Sequence, residues 1–286
     1  MDDVIKHIPE DSAEFPACLR LIASRPKQIY LRGTLDLETP IVAVVGSRIP
    51  SVYGKQATHD IVSGLARAGV GVVSGMAPGI DTLAHQAALE NHGLTIGVIA
   101  AGLSQNSFYP RQNLDLARKV VDNGGCLISE YPPEFMPTNY SFPQRNRIIA
   151  GLARAVVVVE AKEKSGSLIT ADWGRKQRKP VFAVPGSIYS ANSAGCHWLL
   201  KNGGSPATGA QDILDALEIL PGPAKTAAAL TPEEQKIIDA LIDGAKTMDQ
   251  IIRESNLPAQ KIMALISIME MNNLLRNLGG GEYCLN

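Results

Sequence analysis

The sequence predicts an α/β protein, with a doubly wound and mostly parallel sheet followed by a small C-terminal helical domain. Two patterns support this. Between residues 41 and 220, short runs of β-branched residues alternate with longer helical segments, which is typical of parallel strands covered by helices on both faces. After residue 230 this alternation ends, and three helical segments precede a glycine-rich turn. Because crossovers between parallel strands are right-handed, the first pattern predicts an open, Rossmann-like sheet.

Six strands are predicted in the first pattern. They lie at 41–45, 70–74, 95–100, 126–129, 155–160 and 181–184. The helices that follow the first two strands end at Gly69 and Gly93, and we expect both glycines to take the left-handed conformation that often ends a helix. Residues 1–40 are interpreted as a short lead-in to the sheet.

The C-terminal part is predicted to be a separate domain. A segment of Pro, Gly, Ala and other small residues at 221–229 indicates a linker. Residues 230–286 then predict three helices, the first two capped at their N-termini by Thr231 and Thr247, and two short strands around a glycine turn. Three helices and a hairpin are typical of a winged helix-turn-helix.

The composition is that of an ordinary globular protein, which excludes disordered and fibrous classes. The 286 residues include 27 basic and 28 acidic side chains and are 45% apolar, enough for one large and one small domain. The acidic N-terminus lacks the apolar segment of a signal peptide, so we expect a cytoplasmic protein. The four cysteines form no CxxC pair, which predicts neither a metal site nor a disulfide framework.

The charged residues are unevenly distributed. Residues 41–223 carry 16 basic and 13 acidic side chains, whereas the segments on either side carry more acidic than basic ones. The predicted sheet domain is therefore net positive, which suits a polyanionic partner.

The loops after the predicted strands are the first place to look for a site, because ligands of open parallel sheets bind beyond the carboxyl ends of the strands. Three of these loops combine glycine and serine ahead of a helix, which offers backbone N–H groups and hydroxyls to a phosphate, and two of the three also carry basic residues. A set of tight turns with capped helices is the alternative reading. The candidates in these loops are Gly46, Ser47, Arg48, Gly75, Lys162, Ser165, Gly166 and Ser167.

Two common nucleotide sites are not supported. A dinucleotide site needs GxGxxG after the first strand and a carboxylate at the end of the second, but the loop here is Gly46-Ser47-Arg48 and the second strand ends in Ser74-Gly75. The phosphate-binding pattern GxxxxGK[ST] is also missing from the sequence. No cofactor is therefore predicted.

The segment FPQRNR, at 142–147, is the strongest sign of nucleic-acid binding. Arg145 and Arg147 flank Asn146 at the start of a predicted helix, with Phe142 just upstream. Arginines contact phosphates and aromatic rings stack on unpaired bases, which together give sequence-tolerant binding of single strands. The alternatives are a core position for Phe142 and a surface pair or buried salt bridge for the arginines.

Taken in order, seven motifs resemble the DprA (Smf) family of DNA-processing proteins over roughly residues 15–220. They are VVGSR, SGMAPGIDTLAHQAAL, YPRQN, ISEYPP, FPQRNRIIAGL, VVEAKEKSGSLITA and VFAVPG. The resemblance implies an extended Rossmann domain that binds and protects single-stranded DNA. It also implies a homodimer that loads RecA recombinase during natural transformation and performs no catalysis.

Site residues follow from the resemblance position by position. Arg48 and the Arg145-Asn146-Arg147 motif would bind backbone phosphates, and Phe142 would stack on a base. Lys162 and the turn at 165–167 would extend the pocket. Some relatives contact a phosphate there with a lysine in the segment that corresponds to PPEFMPTNYS. This segment has no basic residue here, so the resemblance does not support that contact.

Two other functions are weighed. The sheet also resembles phosphoribohydrolases, which carry a PGGxGT turn and a catalytic glutamate; here the corresponding stretch is SGSLITADWG, with Asp172 as its only acid. A nucleotide-binding or nucleotide-hydrolysing enzyme is therefore the alternative. The winged domain could read duplex DNA, but its candidate recognition helix, PAQKIMALISIMEM, has one lysine and several large apolar residues, which favours a packing or protein-contact role.

Two further interpretations concern side chains outside the motif loops. Asp81 and His85, four residues apart on a predicted helix, are interpreted as a helix-stabilising or core-hydrogen-bonding pair rather than a catalytic acid and base, with Asp81 capping or bracing the glycine loop before it. For the homodimer contact, the candidate surface is formed by apolar residues near the end of the sheet, with packing over the last strand as the alternative. Those residues are Ala194, Trp198, Leu199 and Leu200.

Overall fold

The computed structural model describes residues 4–219, 231–242, 244–271, 274–279 and 281–285. Two compact units are distinguished, residues 1–223 and residues 224–286. The linker predicted at 221–229 lies outside the described residues.

The first unit is an alternating α/β chain. Its strands and helices, in order, are β1 (Lys6–Pro9), α1 (Ala17–Arg20), β2 (Gln28–Gly33), β3 (Ile41–Val45), α2 (Val52–Arg67), β4 (Gly71–Ser74), α3 (Ile80–Glu90), β5 (Thr95–Ile99), α4 (Leu114–Asp122), β6 (Cys126–Ser129), α5 (Ser141–Leu152), β7 (Ala155–Val158), α6 (Gly166–Lys176), β8 (Val181–Ala183), α7 (Ala194–Lys201), β9 (Ser205–Pro206) and α8 (Ala210–Ala216).

The strands of the first unit form one sheet in the order β1-β2-β6-β5-β4-β3-β7-β8-β9. All pairings from β6 to β9 are parallel, and β1 and β2 are antiparallel to their neighbours. Successive residues of β3 enter different cores, with Ile41, Ala43 and Val45 on one face and Val42 and Val44 on the other. The predicted doubly wound α/β sheet is confirmed, because apolar layers cover both faces.

The N-terminal segment belongs to the sheet and is more than a lead-in. β2 pairs with β6, and β1 pairs with β2. Between these strands, Phe15 and Leu19 are buried in the same core as Ile148 of α5. In β2, buried residues alternate with partly exposed ones, so only one face of this strand is well covered. Such alternation predicts a strand less clearly than the continuous apolar runs of the central strands do.

The two predicted helix ends differ. Gly69 has φ +75° after α2, as expected. After α3 the left-handed residue is His92, with φ +52°, and the expectation for Gly93 is wrong. Gly93 instead lies against α2, since a Cβ there would come within 2.7 Å of the Cβ of Ala66. That glycine serves close packing rather than helix termination.

The second unit has the predicted three helices and a hairpin. Its elements are α9 (Pro232–Leu241), β10 (Lys246–Thr247), α10 (Met248–Ser255), α11 (Ala259–Met271), β11 (Leu275–Gly279) and β12 (Glu282–Leu285). Thr231 and Thr247 accept hydrogen bonds from the backbone N–H groups of Glu234 and Gln250, which confirms both N-caps. β12 pairs with both β10 and β11, an addition to the predicted hairpin.

Helix α11 has little charge with which to bind DNA. Lys261, the one lysine in its sequence, donates to Glu233 of α9, and Met263 and Ile268 are exposed. This supports a packing or protein-contact role over duplex reading. As to membranes, the described helices are all too short or too polar to span one.

Leu19 provides a test of the N-terminal segment. We expect Leu19→Ala to destabilise the first unit by about 2–5 kcal/mol, because it opens a cavity in a closed core. The neighbouring Leu21, which is 86% exposed, is the matched control, and Leu21→Ala should change stability by less than about 0.5 kcal/mol. Urea unfolding followed by tryptophan fluorescence isolates this unit, because Trp173 and Trp198 both lie in it. Equal midpoints for the two variants would contradict the packing role of the segment.

Candidate functional site

A cavity of about 480 Å³ opens at the carboxyl edge of the sheet. It lies between the loops that follow β3 and β7, neighbouring parallel strands that lead to helices on opposite faces of the sheet. This is the position at which open α/β sheets bind ligands. Eight of the residues predicted from the sequence line it: Gly46, Arg48, Phe142, Arg145, Asn146, Ser165, Gly166 and Ser167.

The N-terminus of α6 forms one wall of the cavity. Ser165 caps this helix, its Oγ accepting from the N–H of Ser167 and lying 2.7 Å from the Ser167 Oγ. Asn146 donates to the carbonyl of Gly166 at 3.1 Å and fixes the start of the helix. A Cβ on Gly166 would have no atom within 4 Å, so the backbone here is open to a ligand. An open helix N-terminus with two hydroxyls suits an anion.

Arg48 forms the opposite rim. Its side chain is exposed, and among the described residues it forms no hydrogen bond and no salt bridge. The guanidinium carbon lies 5.7 Å from the centre of the Phe142 ring, which holds the cation at the cavity mouth. Its charge is therefore available to an incoming anion.

Arg145 lies on the cavity floor and is buried. Its Nη1 donates to the carbonyl of Gly75 and, at 2.5 Å, to that of Val98, while Nε donates to Asn146 Oδ1 at 3.1 Å. Burial lowers the pKa of Arg145 to about 10, and Asp81 opposes this change. The guanidinium thus stays charged at neutral pH and is already bound to the ends of two strands.

Asp81 balances this buried arginine. Its Oδ2 accepts from the N–H of Gly75 at 3.1 Å, which confirms the predicted brace on the glycine loop. Burial raises the pKa of Asp81, and the positive charge of Arg145 offsets part of that rise. The two buried groups therefore influence each other electrostatically beneath the cavity.

His85 is not the partner of Asp81. Its Nδ1 lies 2.7 Å from the hydroxyl of Thr95, and its buried Nε2 has no hydrogen-bond partner among the described residues. Burial lowers the pKa of His85 to about 3, with a further contribution from the charge of Arg145. The histidine is therefore a neutral core residue, and the predicted Asp81–His85 pair is not formed.

Two of the loop glycines are required by packing. A Cβ on Gly46 would come within 2.7 Å of Ile80, and one on Gly75 would come within 2.5–2.7 Å of the Arg145 guanidinium. The N–H of Gly75 is also occupied by Asp81, and Gly75 lines only the small cleft beside the cavity. These glycines shape the floor, while the open backbone lies at Gly166.

Among the polar and aromatic residues that line the cavity, sequence reasoning missed Tyr109, Asn139 and Thr170. Tyr109 begins the YPRQN motif, and an aromatic residue next to proline in a loop after a strand was the signal that could have identified it. Asn139 and Thr170 carried no comparable signal. Within the described residues, no three His, Cys, Asp or Glu side chains are grouped to hold a metal ion.

Comparison with known proteins assigns both units. Residues 6–218 match the family model described as DNA recombination-mediator protein A, and residues 221–281 match the DprA winged helix domain. The chain belongs to the DprA/Smf family. It is 35% identical to Protein Smf of Escherichia coli, covering 96% of this chain and 76% of that protein, and 45% identical to DNA processing protein DprA of Streptococcus pneumoniae, covering 71% of each.

Solved structures agree with this membership. The X-ray structure of DprA from Streptococcus pneumoniae superimposes with a TM-score of 0.69 at 42% identity, covering 74% of each chain. A structure of DNA processing protein A from Helicobacter pylori, whose study concerns its single-stranded DNA binding mode, superimposes with a TM-score of 0.66 at 31% identity, covering 76% of this chain and 98% of that one.

Against this DprA/Smf background, Arg147 departs from the role that the resemblance implies. It does not line the cavity. Its Nη2 donates to Glu130 at 2.6 Å, Nε to the carbonyl of Ser24 at 2.6 Å and Nη1 to that of Gln144 at 2.9 Å. All three guanidinium nitrogens are therefore engaged in a largely buried structural site, which matches the alternative reading of this arginine.

Two other predicted site residues and one residue of the predicted dimer surface also lie away from the positions expected of them. Ser47 and Lys162 do not line the cavity, and the Ser47 hydroxyl is bound to the backbone of Ile49. In the proposed dimer surface, Leu199 is buried in the core, so it has no side chain to offer a second subunit. Trp198, next to it, is 52% exposed.

The buried neutral His85 makes stability depend on pH. Its pKa is lower in the folded than in the unfolded chain, so the unfolded state takes up the proton first as the pH falls below about 6.5. Stability contributed by neutral His85 is present above that pH and is lost progressively toward pH 3. We expect His85→Asn, which can keep the bond to Thr95, to flatten this dependence by up to about 1.4 kcal/mol per pH unit.

The measurement is the free energy of unfolding from urea titrations between pH 7 and pH 5, followed by tryptophan fluorescence. The control is the exposed Leu21, whose side chain does not titrate, and Leu21→Ala should leave the slope unchanged. Parallel curves for wild type and His85→Asn would show that His85 does not carry the proton difference.

Proposed function

We propose that this cavity binds single-stranded DNA by its phosphate backbone. The observation that carries the proposal is a cation, Arg48, which pairs with no acidic side chain of the described residues and lies across a cavity from the open N-terminus of α6. A phosphate between them would accept hydrogen bonds from the backbone N–H of Gly166 and from the guanidinium. The aromatic residues beside Arg48 suit unpaired bases, and the relative from Helicobacter pylori is described as binding single-stranded DNA.

The proposed contacts are to phosphates rather than to base edges. Arg145 adds positive charge from the floor, although Asp81 balances it and its Nη1 and Nε are already bound. Arg48 then supplies the principal electrostatic attraction. We therefore expect binding with little sequence preference and a clear dependence on salt.

A binding role is favoured over the hydrolase alternative. Among the described lining residues, the one carboxylate is Asp81, which already accepts a hydrogen bond from Gly75 and faces Arg145. Asp172, the only acid in the stretch corresponding to the hydrolase turn, pairs with Lys176 at 2.7 Å and lies outside the cavity. Neither carboxylate is placed to act as a general acid or base on a ligand there.

We also propose that the protein acts as a homodimer that loads RecA recombinase onto the bound strand during natural transformation. Its membership of a recombination-mediator family supports this role. Two cavities on one DNA strand would raise affinity through effective concentration. Of the apolar residues first suggested for the contact, Trp198 is exposed and Ala194 and Leu200 are partly so.

Arg48→Ala tests the cavity directly. We expect weaker binding for all single-stranded oligonucleotides alike, and a slope of log affinity against log salt smaller by about 0.7 for one lost phosphate contact. The measurement is fluorescence anisotropy with labelled oligonucleotides at several salt concentrations.

The matched control is Arg118→Ala. Arg118 lies on α4 outside the cavity and pairs with Asp115 at 3.0 Å, so its removal changes the net charge by the same amount. An equal fall in slope for both variants would mean that Arg48 acts only through the overall charge. No binding by the wild-type protein would refute the proposed function.

The dimer is tested by light scattering on the wild type and on Trp198→Glu. We expect a dimeric wild type and a monomeric, folded variant, because a buried carboxylate at an apolar contact would be desolvated without a partner. A monomeric wild type would refute the dimer. A dimeric variant would refute only the surface around Trp198.

A further inference from the structure

Tyr109 is an exposed aromatic residue on a fixed backbone. Its side chain is 46% exposed, whereas Phe108 and Pro110 on either side are buried. It lines both the main cavity and the small cleft beside it. The ring is therefore presented at the cavity mouth by a backbone that its buried neighbours hold in place, which reduces the entropy lost on contact with a ligand.

Phe142 is less accessible than Tyr109. Arg48 lies over its ring, and the Tyr109 ring packs edge-to-face against it with centroids 5.6 Å apart and planes at 67°. Phe142 is also partly buried. A base that stacked on Phe142 would have to compete with Arg48, the group proposed to bind phosphate.

We propose that Tyr109 is the stacking platform of a nucleobase subsite at the cavity mouth, with Phe142 as the brace that orients Tyr109 and Arg48. The inference rests on the proposed binding of single-stranded DNA. In this arrangement the phosphate lies between Arg48 and α6, and an adjoining base lies on the Tyr109 ring. Tyr109 thus contacts the ligand, whereas Phe142 positions Tyr109 and Arg48.

The proposed subsite would accept every base. Stacking uses the face that all four bases share, and it involves no hydrogen-bond readout. Among the described residues, the Tyr109 hydroxyl forms no hydrogen bond, so the ring is held by packing alone. Stacking on Tyr109 would therefore add affinity with neither sequence preference nor salt dependence.

The first experiment compares oligonucleotide binding by full-length variants. Tyr109→Ala should weaken affinity for single-stranded DNA by about 5- to 100-fold with an unchanged salt slope, and Tyr109→Phe should retain most of the affinity. The matched control is Tyr189, which is also exposed but lines neither the cavity nor the cleft, and Tyr189→Ala should bind as the wild type does. Tryptophan fluorescence and circular dichroism establish that each variant is folded.

The second experiment needs no variant. An oligonucleotide in which 5-iododeoxyuridine replaces thymidine is irradiated in complex with the wild-type protein, and the attached residue is found by mass spectrometry. We expect the attachment at Tyr109. Attachment at Phe142 alone, or a Tyr109→Ala variant with wild-type affinity, would overturn the subsite while leaving the proposed function standing. A wild-type protein that binds no single-stranded DNA would overturn the proposed function and the subsite with it.

Discussion

The site depends on the hydrogen bonds that the buried guanidinium of Arg145 donates. This guanidinium donates to carbonyls at the ends of β4 and β5, and it extends from α5, the helix that crosses the sheet between β6 and β7. A buried cation needs a partner, and Asp81 at the start of α3 provides the opposite charge. The guanidinium also needs space, which explains why residue 75 is glycine.

The rest of the cavity is built above this fixed floor. Asn146, next to Arg145 in the chain, accepts from it and donates to Gly166, so the floor and the start of α6 are connected through one amide. A second buried carboxylate fixes the loop after β3. Glu160 accepts from the N–H of Ser51 at 3.0 Å and from Asn192 at 3.2 Å. Arg48 lies in that loop, so its exposed guanidinium is carried on a braced backbone.

Arg145 and Arg147 are the same residue type but make different contacts. Both lie in one motif and on one helix, two residues apart. Because side chains two apart on a helix point in different directions, Arg145 reaches the cavity floor while Arg147 reaches Glu130 and Ser24. Adjacent helix residues also point in different directions, which separates exposed Trp198 from buried Leu199 on α7. A motif identifies the segment that matters, and the helix decides which of its members face a ligand.

The sequence by itself determined the sheet, the two units and the edge where the cavity lies. Continuous apolar strands, capped helices and glycine-serine loops are local patterns, and they predicted six central strands and the winged domain. The tertiary structure alone decided that β1 and β2 join the sheet, that His92 rather than Gly93 is left-handed, and that Tyr109 comes to lie beside Phe142. The physical reason is that antiparallel edge pairing, close helix packing and ring contacts depend on residues distant in the chain, whose separation no local pattern records.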